Sequence, residues 1–145
     1  MNLYFDTSFL APLILQEATS AAVEEFIAAL LPEQLCISQW TRVEFASLVA
    51  REVRMGSFRR DEALTAIVQF DDMVLRFWPV LVPTSGDYEL AKNYVQRFET
   101  KLRAGDALHL AIAHNHRASV LHTLDEGLLK AAELVKVRAS RGIGL

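Results

Sequence analysis

Apolar residues fall along the chain in short strand-like runs separated by longer stretches of helical period. Leu3 to Phe5 is the first run and ends at Asp6. Helical patterns follow over about Thr7 to Leu15 and Ser20 to Leu31. In the second, Val23, Phe26, Ile27, Leu30 and Leu31 mark one helix face at i, i+3, i+4, i+7 and i+8, and Pro32 stops it. A second strand, Leu35 to Ser38, leads into a helix over about Gln39 to Val53, with Gly56 just past its end. The next helix spans about Arg60 to Phe77 and carries Leu64, Ile67, Val68, Val74 and Leu75. Val80 to Val82, between Pro79 and Pro83, is a third strand, and Ser85 suits the cap of a helix with Leu90, Ala91, Tyr94, Val95 and Phe98 on its apolar positions. A helix from about Gly105 to His116, a strand from Ser119 to His122, a helix from Asp125 and a short strand from Val135 to Val137 complete the pattern. Arg141 to Gly144 reads as a loose tail.

Strands that alternate with helices need crossover connections, so the pattern predicts a mainly parallel sheet covered by helices on both faces. Ligands on such sheets bind beyond the carboxyl ends of the strands, where the winding reverses. Asp6 and Asp125 each stand between a strand and a helix and would meet there if strands one and four are neighbours. Glu44 lies on a helix face between Trp40 and Leu48, and Asp106 opens a helix apolar nearly all round, Ala107 to Ala113. Each acid also has an ordinary reading. Asp6 and Asp125 suit helix N-caps, Asp106 suits the positive end of a helix dipole, and Glu44 suits a solvated helix surface. Together they make a cluster that repels itself unless cations or protons neutralise it, and carboxylates are the usual ligands of Mg²⁺ and Mn²⁺.

Composition narrows the class. The chain has 145 residues, 52% apolar and 23% charged, as expected of one globular domain over residues 1–145. No apolar run nears the roughly 20 residues that span a bilayer, and Asn2 to Phe5 follows no basic leader, so the expected location is the cytoplasm without membrane contact. The lone Cys36, in an apolar stretch, makes neither a disulfide framework nor a cysteine zinc site. A net charge of −3 argues against a broad basic nucleic-acid surface, but not against an enzyme that meets phosphate through bound cations and local arginines.

Four stretches then carry a family likeness: Leu3-Tyr4-Phe5-Asp6-Thr7-Ser8-Phe9-Leu10; Ser38 to Ser47 around Glu44; Leu102-Arg103-Ala104-Gly105-Asp106-Ala107-Leu108-His109-Leu110-Ala111; and Leu121-His122-Thr123-Leu124-Asp125. In this order and spacing they resemble the PIN-domain ribonucleases, most closely the VapC-type toxins of toxin–antitoxin pairs. The resemblance implies a three-layer α/β/α fold on a five-stranded parallel sheet. It implies a Mg²⁺- or Mn²⁺-dependent endoribonuclease that cleaves RNA phosphodiester bonds with a metal-activated water. Asp6, Glu44, Asp106 and Asp125 are then the catalytic acids, with Asp6, Asp106 and Asp125 as metal ligands. Ser8 and Thr123 match hydroxyls that orient a carboxylate or a bound water. The implied partners are the RNA substrate, a VapB-like antitoxin and a second copy of the chain in a homodimer, with Phe26/Leu30 or Leu64/Val68 as candidate apolar surfaces.

Basic residues near the acids are weaker candidates for RNA contact: Lys101 and Arg103 before Asp106, and Arg51 and Arg54 after the Glu44 helix. His109, one turn beyond Asp106, reads as a packed, hydrogen-bonded core histidine. Two alternatives stand beside the nuclease: a catalytically silent PIN-fold module that binds RNA or a partner, and a haloacid-dehalogenase-like phosphohydrolase. The latter normally has a second acid two residues after its nucleophile, where this chain has Ser8.

Overall fold

Strand side chains alternate between two apolar cores, and that alternation generates the layers. The computed structural model describes residues 2–144; Met1 and Leu145, the ends of the expected 1–145 span, lie outside the described residues. Strands β1 (Leu3–Phe5), β2 (Leu35–Ser38), β3 (Val80–Leu81), β4 (Val120–His122) and β5 (Ala139–Ser140) form one parallel sheet in the order β3-β2-β1-β4-β5. Leu3, Phe5, Leu35 and Ile37 point to one face, while Tyr4, Cys36 and Leu121 point to the other.

Helices α1 (Thr7–Leu10), α2 (Ser20–Ala28), α3 (Gln39–Arg54) and α4 (Arg60–Phe77) cover the first face. Helices α5 (Ser85–Val95), α6 (Ala104–Asn115) and α7 (Glu126–Leu134) cover the second. Phe5, Phe9, Phe45, Phe70 and Val74 are sealed in the first core. α6, flat against the second face, is buried from Ala107 to Ala113. None of these helices is long and apolar enough to cross a membrane.

The chain winds from β1 through β2 to β3 on one side, then returns to place β4 on the other. Tyr4 pairs with both Cys36 and Leu121, so β1 is the central strand and the switch point lies between β1 and β4. The Asp6 N–H continues the β1–β4 ladder, donating to the His122 carbonyl at 3.2 Å. Strand one therefore delivers Asp6, and strand four delivers Thr123 to Asp125, to the same stretch of the sheet's carboxyl edge.

Several sequence expectations need correction. The fifth strand is Ala139–Ser140, not Val135–Val137, because α7 ends in a tight turn with Lys136 at φ 60° before the chain comes alongside β4. The tail is tied down: Arg141 Nη1 donates to the Leu124 carbonyl, and Ile143 packs on the first core. Thr84, not Ser85, caps α5, accepting from the Asp87 N–H while the Asp87 carboxylate accepts from the Thr84 N–H. The pattern over Thr7 to Leu15 resolves into α1 and a 3₁₀ turn at Ala11–Leu13, where Pro12 blocks α-helical continuation. Phe26 and Leu30 are partly buried against the first core, whereas Leu64 and Val68 on α4 are 56% and 66% exposed.

The first core hinges on one aromatic pair between α3 and α4. Phe45 and Phe70 stack with ring centroids 4.1 Å apart and planes 9° from parallel, and both are essentially inaccessible. Phe70→Ala should lower stability by about 3–5 kcal/mol, read as a lower urea midpoint with an unchanged m-value.

Candidate active site

All four acids line one cleft of about 980 Å³ at the carboxyl edge of β1 and β4. Each is delivered by a different element: Asp6 by the end of β1, Glu44 by the second turn of α3, Asp106 by the first turn of α6, and Asp125 by the start of α7.

Asp6 is buried, with 3% of its surface exposed. Its Oδ1 accepts from the Ser8 hydroxyl at 2.8 Å and the Phe9 N–H at 3.1 Å, and its Oδ2 accepts from the Thr123 hydroxyl at 2.6 Å. Burial pushes its pKa up, opposed by the positive charge of His109 and by these three donors. The same hydroxyls also accept backbone N–H groups from the next loop: Ser8 Oγ from Leu124, and Thr123 Oγ1 from Asp125. Two small side chains thus stitch the β1 and β4 loops together around one carboxylate.

Glu44 is held from two sides. Thr7 donates to its Oε1 at 2.7 Å, and His109 Nε2 bonds to the same oxygen. His109 is fully buried, and its Nδ1 meets the Tyr4 hydroxyl at 2.7 Å, which in turn lies 2.8 Å from Ser38 Oγ. Burial opposes a charge on His109, but the Glu44 hydrogen bond and the carboxylates of Glu44, Asp6 and Asp106 outweigh it, and the imidazole pKa is raised. Burial likewise opposes the Glu44 charge, yet His109, Thr7 and Trp40 hold its pKa below the ordinary value. Both shifts favour the charged form of the pair, and the Tyr4 phenol, its pKa raised by burial, closes it from below. Gly105 leaves room for it: a Cβ there would stand 2.8 Å from Glu44 Oε2 and 3.2 Å from the Trp40 ring.

Among the described residues, none donates a hydrogen bond to the Asp106 carboxylate. Partial burial, then repulsion from Asp125, Glu44 and Asp6, lift its pKa to about 6 against the pull of His109. Asp125 is exposed and caps α7, its Oδ1 accepting from the Leu128 N–H at 3.0 Å. Asp6 caps α1 in the same way, so the capping and clustering readings of these two aspartates are both true.

The open acceptors among the described residues are therefore oxygens: both of Asp106, Oδ2 of Asp125 and one lone pair on Asp6 Oδ2, with Glu44 Oε2 beside the Trp40 ring. Among the described residues, no three His, Cys, Asp or Glu side chains stand close enough to cage an ion directly. An all-oxygen, open arrangement suits a cation that keeps much of its water, as Mg²⁺ does when bound by one or two carboxylates and a phosphate. The donor set fits that ion.

Of the basic candidates, Arg51, Arg54 and Arg103 line this cleft with the acids, whereas Lys101 lies in an adjoining recess. Sequence reasoning missed Thr7, and it placed His109 in the core without its partner. One signal for His109 was present: it lies three residues after Asp106, on the same helix face.

This arrangement coincides with a known family. The PIN domain family matches residues 3–134, and the chain belongs to it. The haloacid-dehalogenase alternative is set aside. Among solved structures, the chain is similar to Mycobacterium tuberculosis VapC20, described as a sarcin-ricin loop cleaving toxin, with a TM-score of 0.71 and 20% identity over 90% of this chain and 95% of that one. It is similar to FitAcB from Neisseria gonorrhoeae, with a TM-score of 0.74 and 17% identity over 97% of each chain. VapBC2 from Rickettsia felis, bound to a DNA fragment from its promoter, gives a TM-score of 0.69 and 14% identity over 97% of this chain and 98% of that one. These likenesses show the fold. No curated protein matches the chain by sequence.

Two measurements test the electrostatics. Because the folded Asp106 binds its proton more tightly than the unfolded chain does, ionising it costs stability as pH rises from about 4 through about 6. Without divalent metal, Asp106→Asn should therefore be more stable than wild type above pH 6, by about 1–2 kcal/mol after solvent screening. The gain should vanish near pH 4, as read from denaturation midpoints across pH. His109→Leu leaves the Glu44 carboxylate and the Tyr4 phenol each short of a partner, and should cost about 1–3 kcal/mol in the same assay.

Proposed function

We propose that this chain is a Mg²⁺- or Mn²⁺-dependent endoribonuclease and the toxin of a type II toxin–antitoxin pair. The observation that carries the reading is the convergence of four carboxylates on one cleft, with Asp106 unbonded and its pKa lifted to about 6. A self-repelling cluster of this kind gains most from a divalent cation beside it. Membership of the PIN family and the likeness to VapC20, a sarcin-ricin loop cleaving toxin, support RNA as the substrate.

In this reading Asp106 and Asp125 would hold the ion, with the buried Asp6 reaching it through a bound water. When bound, it lowers the pKa of a water and neutralises charge developing on the phosphate. Asp6, immobilised by Ser8, Thr123 and the Phe9 N–H, gives the site a rigid floor that cannot swing away when a cation or substrate arrives. Glu44, with Oε1 tied to Thr7 and His109, keeps Oε2 to orient a water or accept its proton. Arg51, Arg54 and Arg103 face the substrate's phosphates.

The partner is a VapB-like antitoxin. VapBC2 is bound to promoter DNA and FitAB to an IR36 DNA fragment, as expected where a DNA-binding antitoxin holds its toxin. A homodimer and a cytoplasmic location complete the proposal. The exposed Leu64, Val68, Leu75 and Phe77 on α4 offer apolar surface for one of these interfaces.

Purified protein incubated with total RNA should produce discrete cleavage ends with Mg²⁺ or Mn²⁺ and none with chelator. Asp106→Asn and Asp6→Asn should fold normally and cleave nothing. Mg²⁺ should also raise the melting temperature, since a ligand at 100 times its Kd stabilises by roughly 2.7 kcal/mol. Metal-independent cleavage, or full activity in both variants, would contradict the proposal; RNA binding without cleavage would favour the silent module.

A further inference from the structure

The cleft does not end at the acids. Past Asp106 and Asp125 it opens into a second recess of about 540 Å³ between the start of α6 and the outer side of α7. The two recesses share Arg103, Asp106 and Asp125, so the proposed reaction centre sits at their junction.

Their charge differs in sign. Away from the junction, the first sets Arg51 and Arg54 against Asp6, Glu17, Glu44 and Glu52. Glu17 and Glu52 are close enough that, after partial burial, Glu52 helps to raise the Glu17 pKa. The second sets Lys101 and Lys130 against Glu99 alone, and Glu99 already pairs with Arg97 at 3.0 Å. Arg42, Arg59 and Arg76 are engaged by carboxylates elsewhere on the surface, and Arg97 by Glu99 itself. Among the described residues, Lys101, Arg103 and Lys130 have no such partner and are exposed, as are Arg51 and Arg54, which however share their recess with four carboxylates beyond the junction.

Lys101 is also held in place. It closes the 3₁₀ turn Phe98–Thr100 in the left-handed region, at φ 58° and ψ 22°. The Thr100 hydroxyl braces that turn, donating to the Arg97 carbonyl at 2.7 Å and accepting from the Leu102 N–H at 3.2 Å.

We infer that this second recess is a phosphate track that seats the RNA backbone on one side of the scissile bond, with Lys101, Arg103 and Lys130 as its cations. The inference rests on the ribonuclease reading and gives that site a direction. A strand crossing the junction carries a negative charge at every nucleotide. Toward Glu17 and Glu52 those charges meet carboxylates that outnumber Arg51 and Arg54; toward Lys101 and Lys130 they meet an excess of cations. The acid-rich half, where carboxylates outnumber Arg51 and Arg54, accommodates bases and riboses beside Gln16, Ser47 and Phe58 and leaves those two arginines for the phosphate nearest the junction.

The test uses the Asp106→Asn protein, to prevent cleavage, with Mg²⁺ and a fluorescein-labelled single-stranded oligo(U), reading anisotropy across a salt series. Adding Lys101→Asn and Lys130→Gln should weaken binding at least about tenfold and flatten the plot of log Kd against log salt by about 0.7 for each phosphate no longer neutralised. Lys101→Asn alone should not lower the melting temperature, because Asn is well tolerated at a left-handed position. Arg117→Asn is the matched control: it removes one exposed cation, also at φ 57°, from the opposite end of α6, and should leave both affinity and slope unchanged. Unchanged binding in the Lys101/Lys130 variant, or an equal loss in the Arg117 control, would overturn the track. Failure of the parent to bind oligo(U) at any salt would overturn the ribonuclease reading together with it.

Discussion

A carboxylate buried at the end of the central strand must find partners for its charge, and much of the site is arranged around meeting that need for Asp6. Ser8, Phe9 and Thr123 supply three donors from two loops. Because Ser8 and Thr123 also accept backbone N–H groups of Leu124 and Asp125, satisfying Asp6 also sets the path of the chain from β4 into α7. The position of Asp125 is thus a consequence of how Asp6 is held. The β1–β4 ladder, extended by the Asp6 N–H to the His122 carbonyl, keeps the two loops in register.

The same need for compensation operates on the other side of the cleft by different means. Glu44 is brought in on α3 and is matched by Thr7 at the start of α1 and by His109 from α6, with Tyr4 beneath. The hydrogen bond to Glu44 and the three carboxylates around the imidazole raise its pKa against the cost of burial. That leaves Asp106 as the acid with no dedicated partner, and the repulsion concentrates there. A site built in this way has two carboxylates fixed by the protein and two, Asp106 and Asp125, whose free oxygens face solvent and whatever cation or phosphate arrives.

Where sequence reasoning went astray, the cause was local. A two-residue edge strand such as Ala139–Ser140 has too few positions to show a period, and the more apolar Val135–Val137 just before it drew the assignment. Phe26 and Leu30 looked like candidate exposed surface because helix α2 is apolar along one side; whether such a face meets solvent or the core depends on what packs over it, and here the first core does. The proline in the Thr7 to Leu15 stretch did signal a break, but periodicity alone carried the helix past it.

The order of elements, the parallel sheet and the placement of Asp6 and Asp125 after strands were legible in the sequence, because apolar period and strand-to-helix junctions are local properties. The acids' shared edge followed from a general rule of parallel sheets. What only the tertiary structure decided was partnership: that Thr7 and His109 hold Glu44, that Thr123 reaches Asp6 from 117 residues away, and that Lys101 and Lys130 face one recess. These pairings join residues far apart in sequence, and hydrogen bonds and charge repulsion depend on distance in space. The four acids could be picked out along the chain, but which of them is buried, which is paired and which is left bare depended on how the strands were ordered.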